Sequence, residues 1–566
     1  MAADGPISLA SSAAIVLLAL LVRHATSLHP YSGHATPPMF GDYEAHRHWM
    51  EICANLPLAQ WYAPSAHNDL QYWGIDYPPL SAYLSWALGR LAARAHPPLV
   101  TLHASRGHES AETKRFMRGT VLAVDTLVYF PAALLLARAR AAGARTPARV
   151  RAFALAGLLL QPALVLVDHG HFQYNCVSLG LALGAQALAA HPRAAAERLR
   201  PLLRTLLPAA VLFCLSLNFK QMSLYYAPAF FAHMLGLSLR LPGSRRRAAA
   251  IGALGLTVLA TFAACWLPFA LAGSEASLAV LRRIFPVQRH IYEDKVANIW
   301  CTMSVLPFLK LRARASPADA LRLSLGATAA SLVVPVASMV RRPSRAAFEL
   351  GLLCSALSFF LLSFQVHEKH ILLALAPASA LLPDAPLLVG WLLLVGTFSM
   401  FPLLERDGLG LAYGAHVALL AVLVAVARRA RESDGAAAAP TARPSERGFA
   451  DEPRTAPAAC ARLERALRAA ARAAPTLCAC SIAGMGALHL AAQLVRPPAR
   501  YPDLYALLFC MFACTHFCAA WLALQAWHAC NLLGREPRLW DEGLALSGSP
   551  PADAKSAARR PAAKED

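Results

Sequence analysis

Long apolar stretches recur along the whole chain, and they constrain its fold more than any other feature. Examples are "GTVLAVDTLVYFPAALLLA" (119–137) and "IGALGLTVLATFAACWLPFALA" (251–272). A helix needs about 17–25 apolar residues to cross the ~30 Å hydrocarbon layer of a membrane. Of the 566 residues, 57% are hydrophobic and only 15% are charged, which is too few charges to cover a soluble protein of this length. The sequence therefore predicts an all-α fold, a polytopic bundle of transmembrane helices.

The basic residues are concentrated in short connectors between these stretches. The net charge is +20, and much of it falls in residues 138–151, 192–204, 240–247, 341–345 and 428–432. Short loops rich in Lys and Arg stay on the cytoplasmic side of a membrane, so these connectors predict the topology. The same alternation argues against a nucleic-acid-binding surface, which would gather its basic residues in one patch. No nucleic-acid partner is expected.

This topology predicts about fourteen crossings, with both termini in the cytoplasm. The predicted spans are 7–24, 117–137, 150–167, 176–190, 203–217, 222–238, 247–271, 321–340, 347–365, 370–383, 387–404, 410–428, 476–494 and 504–528. The first span is interpreted as an anchor rather than a cleaved signal peptide, because its start, "MAADG", is acidic. The apolar stretch 296–309 offers only about 14 residues and is predicted to be a re-entrant or interfacial helix.

The predicted organisation of the chain follows from these spans. It comprises a first transmembrane helix (1–27), a large non-cytoplasmic loop with short helices (28–116), transmembrane helices (117–272), a second non-cytoplasmic loop with the re-entrant or interfacial helix (273–320), further transmembrane helices (321–429), a flexible cytoplasmic linker (430–475), the last two transmembrane helices (476–530) and a cytoplasmic tail (531–566). The linker is predicted from its Ala, Arg and Pro content.

Ionisable and aromatic side chains gather in the connectors on the non-cytoplasmic side. They lie in five motifs, "GDYEAHRHWMEI" (41–52), "LQYWGIDYPPLSAY" (70–83), "HFQYNCVSLG" (171–180), "RRIFPVQRHIYEDKVANIWC" (282–301) and "LSFQVHEKHILL" (362–373). Charged groups beside the hydrocarbon layer are costly unless they are paired or hydrated. Their concentration on one face therefore predicts a shared cavity.

Asp42 is the leading candidate for chemistry in the first motif. A carboxylate is ionised at neutral pH and can remove a proton from a hydroxyl group, as a sugar-transfer reaction requires. One alternative is structural, because Asp is a preferred N-cap and a helix is predicted from Tyr43. Another is a metal site, since "DYE" resembles the spaced carboxylates that bind divalent ions. No nucleotide-binding glycine loop accompanies it, and metal binding is the less favoured interpretation.

Together the five motifs resemble the endoplasmic-reticulum glucosyltransferases that use dolichyl-phosphate-glucose, which have the GT-C fold. Within that family, "LQYWGIDYPPLSAY" is most similar to the members that add the first glucose, in α-1,3 linkage, to the lipid-linked high-mannose oligosaccharide. The sibling that adds the second glucose is the nearest alternative. The resemblance weakens beyond about Pro402. It implies that the cavity opens to the lumen of the endoplasmic reticulum.

The resemblance implies a single displacement with inversion, in which Asp42 is the general base toward the acceptor hydroxyl. The leaving phosphate needs charge stabilisation, and His367 and Lys369, with Arg289 or Lys295, are the candidates for it. The full set of predicted substrate-binding residues is Glu44, Arg47, His48, Trp49, Asp76, Tyr77, His171, Gln173, Asn175, Lys220, Gln221, Arg289, Asp294, Lys295, His367, Glu368 and Lys369.

The expected partners are dolichyl-phosphate-glucose, the dolichyl-pyrophosphate-linked high-mannose oligosaccharide and the lipids of the endoplasmic-reticulum membrane. No cofactor and no metal are expected. A polytopic transporter or lipid flippase is the alternative outside enzymes, because many helices with polar groups fit that class too. Transporters tend to place charges at the membrane midplane within two related halves. Here the acids and histidines lie at one edge beside a large loop, which favours an enzyme.

The topology is open to a direct test. We expect cysteine or glycan tags near Asn68 to report the lumen, and tags near Arg246 or Ser445 to report the cytosol. Accessibility to an impermeant thiol reagent, or glycosylation of the tag, measures the side. A lumenal Ser445 would contradict the assignment based on the arginine-rich connectors.

Overall fold

The computed structural model describes residues 8–140, 148–190, 198–285, 295–305, 316–438 and 458–537. Over these ranges the chain is helical, and its β-structure amounts to one isolated bridge between Ser65 and Asn68. The all-α prediction is confirmed.

Ten helices within the described residues are long and apolar enough to cross a membrane. They are Leu9–Ser27, Ala111–Ala139, Ala148–Phe172, Leu199–Phe219, Ser244–Leu271, Ala318–Arg341, Arg345–Leu362, Gly410–Ser433, Cys460–Leu494 and Leu504–Leu532. Each coincides with a span predicted from the sequence. The protein is a multi-pass membrane protein.

The remaining four predicted spans correspond to shorter helices, which explains why the prediction exceeded ten. They are Asn175–Ala189, Ala227–Leu239, Leu372–Ser379 and Pro386–Ser399. Every residue of Leu372–Ser379 is buried. A helix that is enclosed by protein does not have to span the full hydrocarbon layer, because the surrounding protein satisfies the backbone polar groups at its ends. Such segments therefore have the apolar composition of a span without its full length.

The loop between the first two long helices folds into a helical layer at one end of the bundle. Its main helices, Asp42–Asn55 and Pro79–Ala95, pack closely, since a Cβ at Gly89 would lie 2.4 Å from the carbonyl oxygen of Met50. An apolar cluster that includes Trp49 and Phe269 joins this layer to the end of the bundle. The predicted loop with short helices is thus a fixed layer.

The far end of the bundle is held by a buried ion network. Arg140 donates to Glu349 at 2.5 Å and also bonds Asp384, while Arg345 donates to the same Glu349 at 2.9 Å. Arg140 and Arg345, which belong to two of the arginine-rich connectors, therefore lie at the same end of the bundle. This agrees with the prediction that these connectors share one side of the membrane. That this end faces the cytoplasm stays a prediction of the loop charges.

The structure shows helix in both flanks of the predicted linker 430–475. One helix continues to Ala438 and the next begins at Ala458, and residues 439–457 lie outside the described residues. Ala, Leu and Arg are strong helix formers, which explains why these flanks are helical. In the 296–309 stretch the structure describes the helix Ile299–Val305, and residues 306–309 lie outside the described residues, so the re-entrant or interfacial helix stays a prediction.

Candidate active site

Asp42 is the first residue of its helix, and its side chain does not cap that helix. The N-cap is Gly41, and the Asp42 backbone N–H donates to Ser32 Oγ at 3.2 Å. The preceding segment folds back against the helix start, since a Cβ on Gly33 (φ +76°) would lie 2.0 Å from the Gly41 nitrogen. The capping interpretation is therefore wrong, and the carboxylate is directed elsewhere.

Two donors and the His171 ring converge on one oxygen of Asp42. Oδ2 accepts from Lys369 Nζ at 2.5 Å and Gln173 Nε2 at 2.5 Å, and it lies 3.0 Å from His171 Nε2. Within the described part of the chain, Oδ1 has no protein partner, and the side chain is 21% exposed. One oxygen is thus fixed while the other is available to a ligand.

His171 and Gln173 reach the same carboxylate although they are only two residues apart. His171 lies within a π-helical turn, Leu166–Phe172, that ends the helix Ala148–Phe172, and Gln173 follows directly after it. Phe172, between them, has a positive φ of 92°. Such turns widen a helix and are frequent at functional sites. The irregular backbone presents both side chains to Asp42.

Lys369 comes from a short 3₁₀ turn, Glu368–Ile371, between two apolar helices. Its ammonium lies 2.5 Å from Asp42 Oδ2 and 3.2 Å from His171 Nε2. Burial by itself would raise the pKa of Asp42, but the charge of Lys369 and the hydrogen bond from His171 hold that pKa well below its usual value. Burial opposes the charge of Lys369 too, yet Asp42 raises the pKa of that ammonium. At neutral pH the two groups form an ion pair.

A cavity of about 780 Å³ opens above this pair. Its polar lining is Tyr31, Ser32, His34, Thr36, Asp42, His171, His367, Glu368, Lys369, Arg406 and Asp407. Glu368 is 9% exposed, and its Oε2 atom is buried without a hydrogen-bond partner among the described residues. A cavity with several fixed polar groups and one unsatisfied acceptor suits a ligand rich in hydroxyl groups.

A second layer behind the cavity orients Gln173. Lys220 Nζ donates to Gln173 Oε1 at 3.0 Å and to Asn175 Oδ1 at 2.6 Å, and it lies 4.5 Å from the centre of the Tyr77 ring. Since the amide oxygen of Gln173 accepts from Lys220, its NH₂ group is directed to Asp42. Burial lowers the pKa of Lys220 to about 8. These predicted binding residues support the site and do not line the cavity.

Four predicted binding residues belong instead to the packing of the first motif helix. Arg47 is fully buried and donates to Glu44 at 2.7 Å and to Glu51 at 2.8 Å. His48 lies 3.3 Å from Glu51, and the Trp49 indole donates to the Trp73 carbonyl at 2.8 Å. Glu44, Arg47 and His48 thus make contacts at i, i+3 and i, i+4 spacings within their own helix, and Trp49 contacts the following loop segment. None of the four lines the cavity, and their binding role stays a prediction. With Glu44 committed to Arg47, "DYE" does not form a carboxylate pair.

The remaining predicted residues lie apart from the cavity or outside the described chain. Gln221 Nε2 donates to the backbone carbonyl of Asp76 at 3.0 Å. Lys295 pairs with Asp503 at 3.2 Å. Gln221, Asp76 and Lys295 are not among the residues that line the cavity, and their binding role stays a prediction. Arg289 and Asp294 lie outside the described residues.

The structure adds Asp407 and Arg406 to the site. Asp407 and Arg406 both line the cavity, and Asp407 Oδ2 bonds His171 Nδ1. They belong to the connector "LLERDG", whose mixed charges mark it as non-cytoplasmic. The mixed charges of this connector were the one sequence signal for these two residues. The connector lies outside the five motifs from which the site residues were predicted.

The polar cavity lies at one end of the helical bundle and contains an ionised carboxylate and a lysine. This arrangement favours a membrane enzyme over a transporter. The comparison with known proteins gives the class. Residues 14–523 match the ALG6, ALG8 glycosyltransferase family, and the chain belongs to that family. The resemblance read from the motifs is confirmed, and the protein is a glycosyltransferase.

Several relatives are similar over most of their length. A protein of Gallus gallus is 41% identical over 506 residues, which cover 89% of this chain and 93% of the relative. One of Drosophila melanogaster is 45% identical over 70% of this chain and 80% of the relative, and one of Saccharomyces cerevisiae is 36% identical over 90% and 89%. The first and third are named dolichyl pyrophosphate Man9GlcNAc2 alpha-1,3-glucosyltransferase, and the second is named a probable one.

The buried Arg47 network predicts a stability defect rather than a binding defect. We expect Arg47→Met to lower the free energy of unfolding by about 3–5 kcal/mol, because Glu44 and Glu51 would stay buried without their cation. Thermal unfolding of the purified protein in lipid or detergent measures this effect. The matched control is Arg115→Met, whose i, i+3 partner Glu112 is exposed and whose loss should change little. A stable Arg47→Met protein with a raised KM would return Arg47 to the substrate site.

Proposed function

We propose that the protein transfers glucose from dolichyl-phosphate-glucose, with inversion, to dolichyl-pyrophosphate-linked Man9GlcNAc2 in α-1,3 linkage. The observation that carries the proposal is the ionised Asp42, clamped through Oδ2 in a polar cavity with Oδ1 open. The names of relatives that align over most of this chain support the acceptor and the linkage. The reaction takes place at the lumenal face of the endoplasmic-reticulum membrane.

Asp42 acts as the general base. Oδ1 receives the proton of the acceptor 3-hydroxyl while the hydroxyl oxygen attacks the anomeric carbon of glucose. The β-linked phosphate leaves from the opposite face, so one displacement converts a β donor into an α product. A single basic carboxylate suffices for this chemistry, because the leaving phosphate needs charge stabilisation more than a proton.

Lys369 and His367 receive the donor phosphate, with Arg406 at the same cavity wall. Donor binding brings an anion to the ammonium that holds Asp42. As Lys369 shares its charge with the phosphate, its hold on Asp42 weakens and the pKa of the carboxyl rises toward its usual value. A carboxylate that is a poor base in the empty site thus becomes a better base when the donor is bound.

Metal-independent transfer is part of the proposal. The cations Lys369 and Arg406 take the place that a divalent ion has in enzymes with nucleotide-sugar donors. Among the described residues, no group of three or more His, Cys, Asp or Glu side chains is arranged to hold a metal ion.

The proposal is tested with purified protein in lipid. We expect transfer from dolichyl-phosphate-glucose, none from dolichyl-phosphate-mannose or UDP-glucose, and little effect of EDTA. Transfer should occur to the unglucosylated acceptor lipid and not to the form that already carries one glucose. Product mass and linkage analysis give the outcome. Transfer to the monoglucosylated form would favour the second-glucose sibling, and the absence of transfer from every donor would contradict the proposal.

Asp42→Asn should lower the rate by about 10²–10⁴-fold, the usual cost of losing a general base. The amide keeps the size of the side chain, so the cavity should keep its shape. Initial rates at saturating donor and acceptor measure the effect. Asp69→Asn, an exposed carboxylate of the same loop, is the matched control and should be near wild type. A near-normal Asp42→Asn rate would make Asp42 structural only.

A further inference from the structure

We infer that Asp407 is a positioning residue that holds His171, and through it the base Asp42, in the reactive orientation. The inference rests on the proposed function, since it assigns Asp42 as the base. Three residues from distant parts of the chain form a hydrogen-bonded chain, in which Asp407 bonds His171 Nδ1 and His171 Nε2 lies 3.0 Å from Asp42 Oδ2.

The arrangement is buried at its Asp407 end and open at its Asp42 end. The side chains of Asp407 and His171 are 5% and 3% exposed, whereas that of Asp42 is 21% exposed. Within the described residues, His171 is the one side chain that hydrogen-bonds the Asp407 carboxylate. Asp407 itself follows the short helix Phe401–Arg406, and its N–H donates to the Leu403 carbonyl at 3.3 Å. Its carboxylate is therefore fixed before any substrate arrives.

The chemistry of the ring explains what this bond does. A carboxylate only accepts, so the bond to Asp407 requires a proton on His171 Nδ1. Nε2 then donates to Asp42, or accepts from Lys369, whose Nζ lies 3.2 Å away. In either state the ring plane is fixed against Asp42 Oδ2, and Oδ1 stays directed to the cavity. Without Asp407 the ring is free to turn or to change tautomer, and the base loses one of its three supports.

A second histidine of the same turn provides an internal comparison. His169 Nε2 lies 2.7 Å from Asp125 Oδ2, and Asp125 also accepts from Arg23 Nε at 2.5 Å. This group is buried in the bundle and none of its members lines the cavity. The two pairs share their chemistry and differ in access to substrate. Asp125→Asn is therefore the control for a purely structural effect.

The test compares Asp407→Asn with wild type in the transfer assay, at varied donor and varied acceptor. We expect kcat to fall about 100-fold, as for other small misplacements of a reacting group, with both KM values within about twofold. The midpoint of thermal unfolding should move little. Asp407→Glu should recover part of kcat because it keeps the charge. Glu405→Gln, an exposed carboxylate nearby, should match wild type, whereas Asp125→Asn should lower the unfolding midpoint and leave the kcat of the folded protein near normal.

The double variant Asp42→Asn/Asp407→Asn distinguishes the mechanism. If Asp407 acts through Asp42, the double variant should be no slower than Asp42→Asn alone. A further loss in the double variant, a normal kcat in Asp407→Asn, or a lost unfolding transition in that variant would each overturn the inference. If the wild-type protein transferred no glucose, the proposed function would fail and the inference with it. An active wild type with a normal Asp407→Asn would overturn the inference alone.

Discussion

The ion pair between Asp42 and Lys369, at 2.5 Å, is the contact on which the site depends. Its two residues are 327 positions apart, one at the start of a helix in the first large loop and the other in a turn between two late helices. The pair exists only when the loop layer has docked on the bundle and the bundle has closed. Partly buried charges are expensive to hold apart, so this contact also stabilises the folded arrangement.

The same rule governs the other charges inside the protein. Arg47 is surrounded by two carboxylates, and Arg23 lies between Asp125 and the Leu159 carbonyl, to which it donates at 2.6 Å. In each of these groups the partners are buried together, and no substrate can reach them. Asp42 differs because one of its oxygens is exposed to a cavity. A buried ion pair is therefore weak evidence for function in this protein, and access to the cavity is the better criterion.

Much of this arrangement could be predicted from the sequence. Apolar length predicted the spans, and arginine-rich connectors grouped the loops, which brought Asp42, His171 and Lys369 to one end. The pattern was less informative where a local geometry competed with it. Glu44, Arg47 and Glu51 stand at helical i, i+3 and i, i+4 spacings, and they pair with one another before any ligand can. Asp407 was missed because nothing in the short connector distinguishes it from the neighbouring Glu405, and only the fold brings it to His171.

The charge balance of the empty cavity bears on how the reaction is controlled. Three acidic residues line the cavity, Asp42, Glu368 and Asp407, and two basic ones, Lys369 and Arg406. In the proposed function a phosphodiester donor adds one negative charge, and Lys369 is the cation that contacts Asp42. The ammonium cannot hold both anions as tightly as it holds one, so occupation of the phosphate position and release of the base are coupled. In the proposed reaction, Asp42 stays paired and weakly basic while no donor is bound, so an acceptor hydroxyl that arrives first keeps its proton. Transfer then requires the donor to be in place before a hydroxyl group can lose its proton.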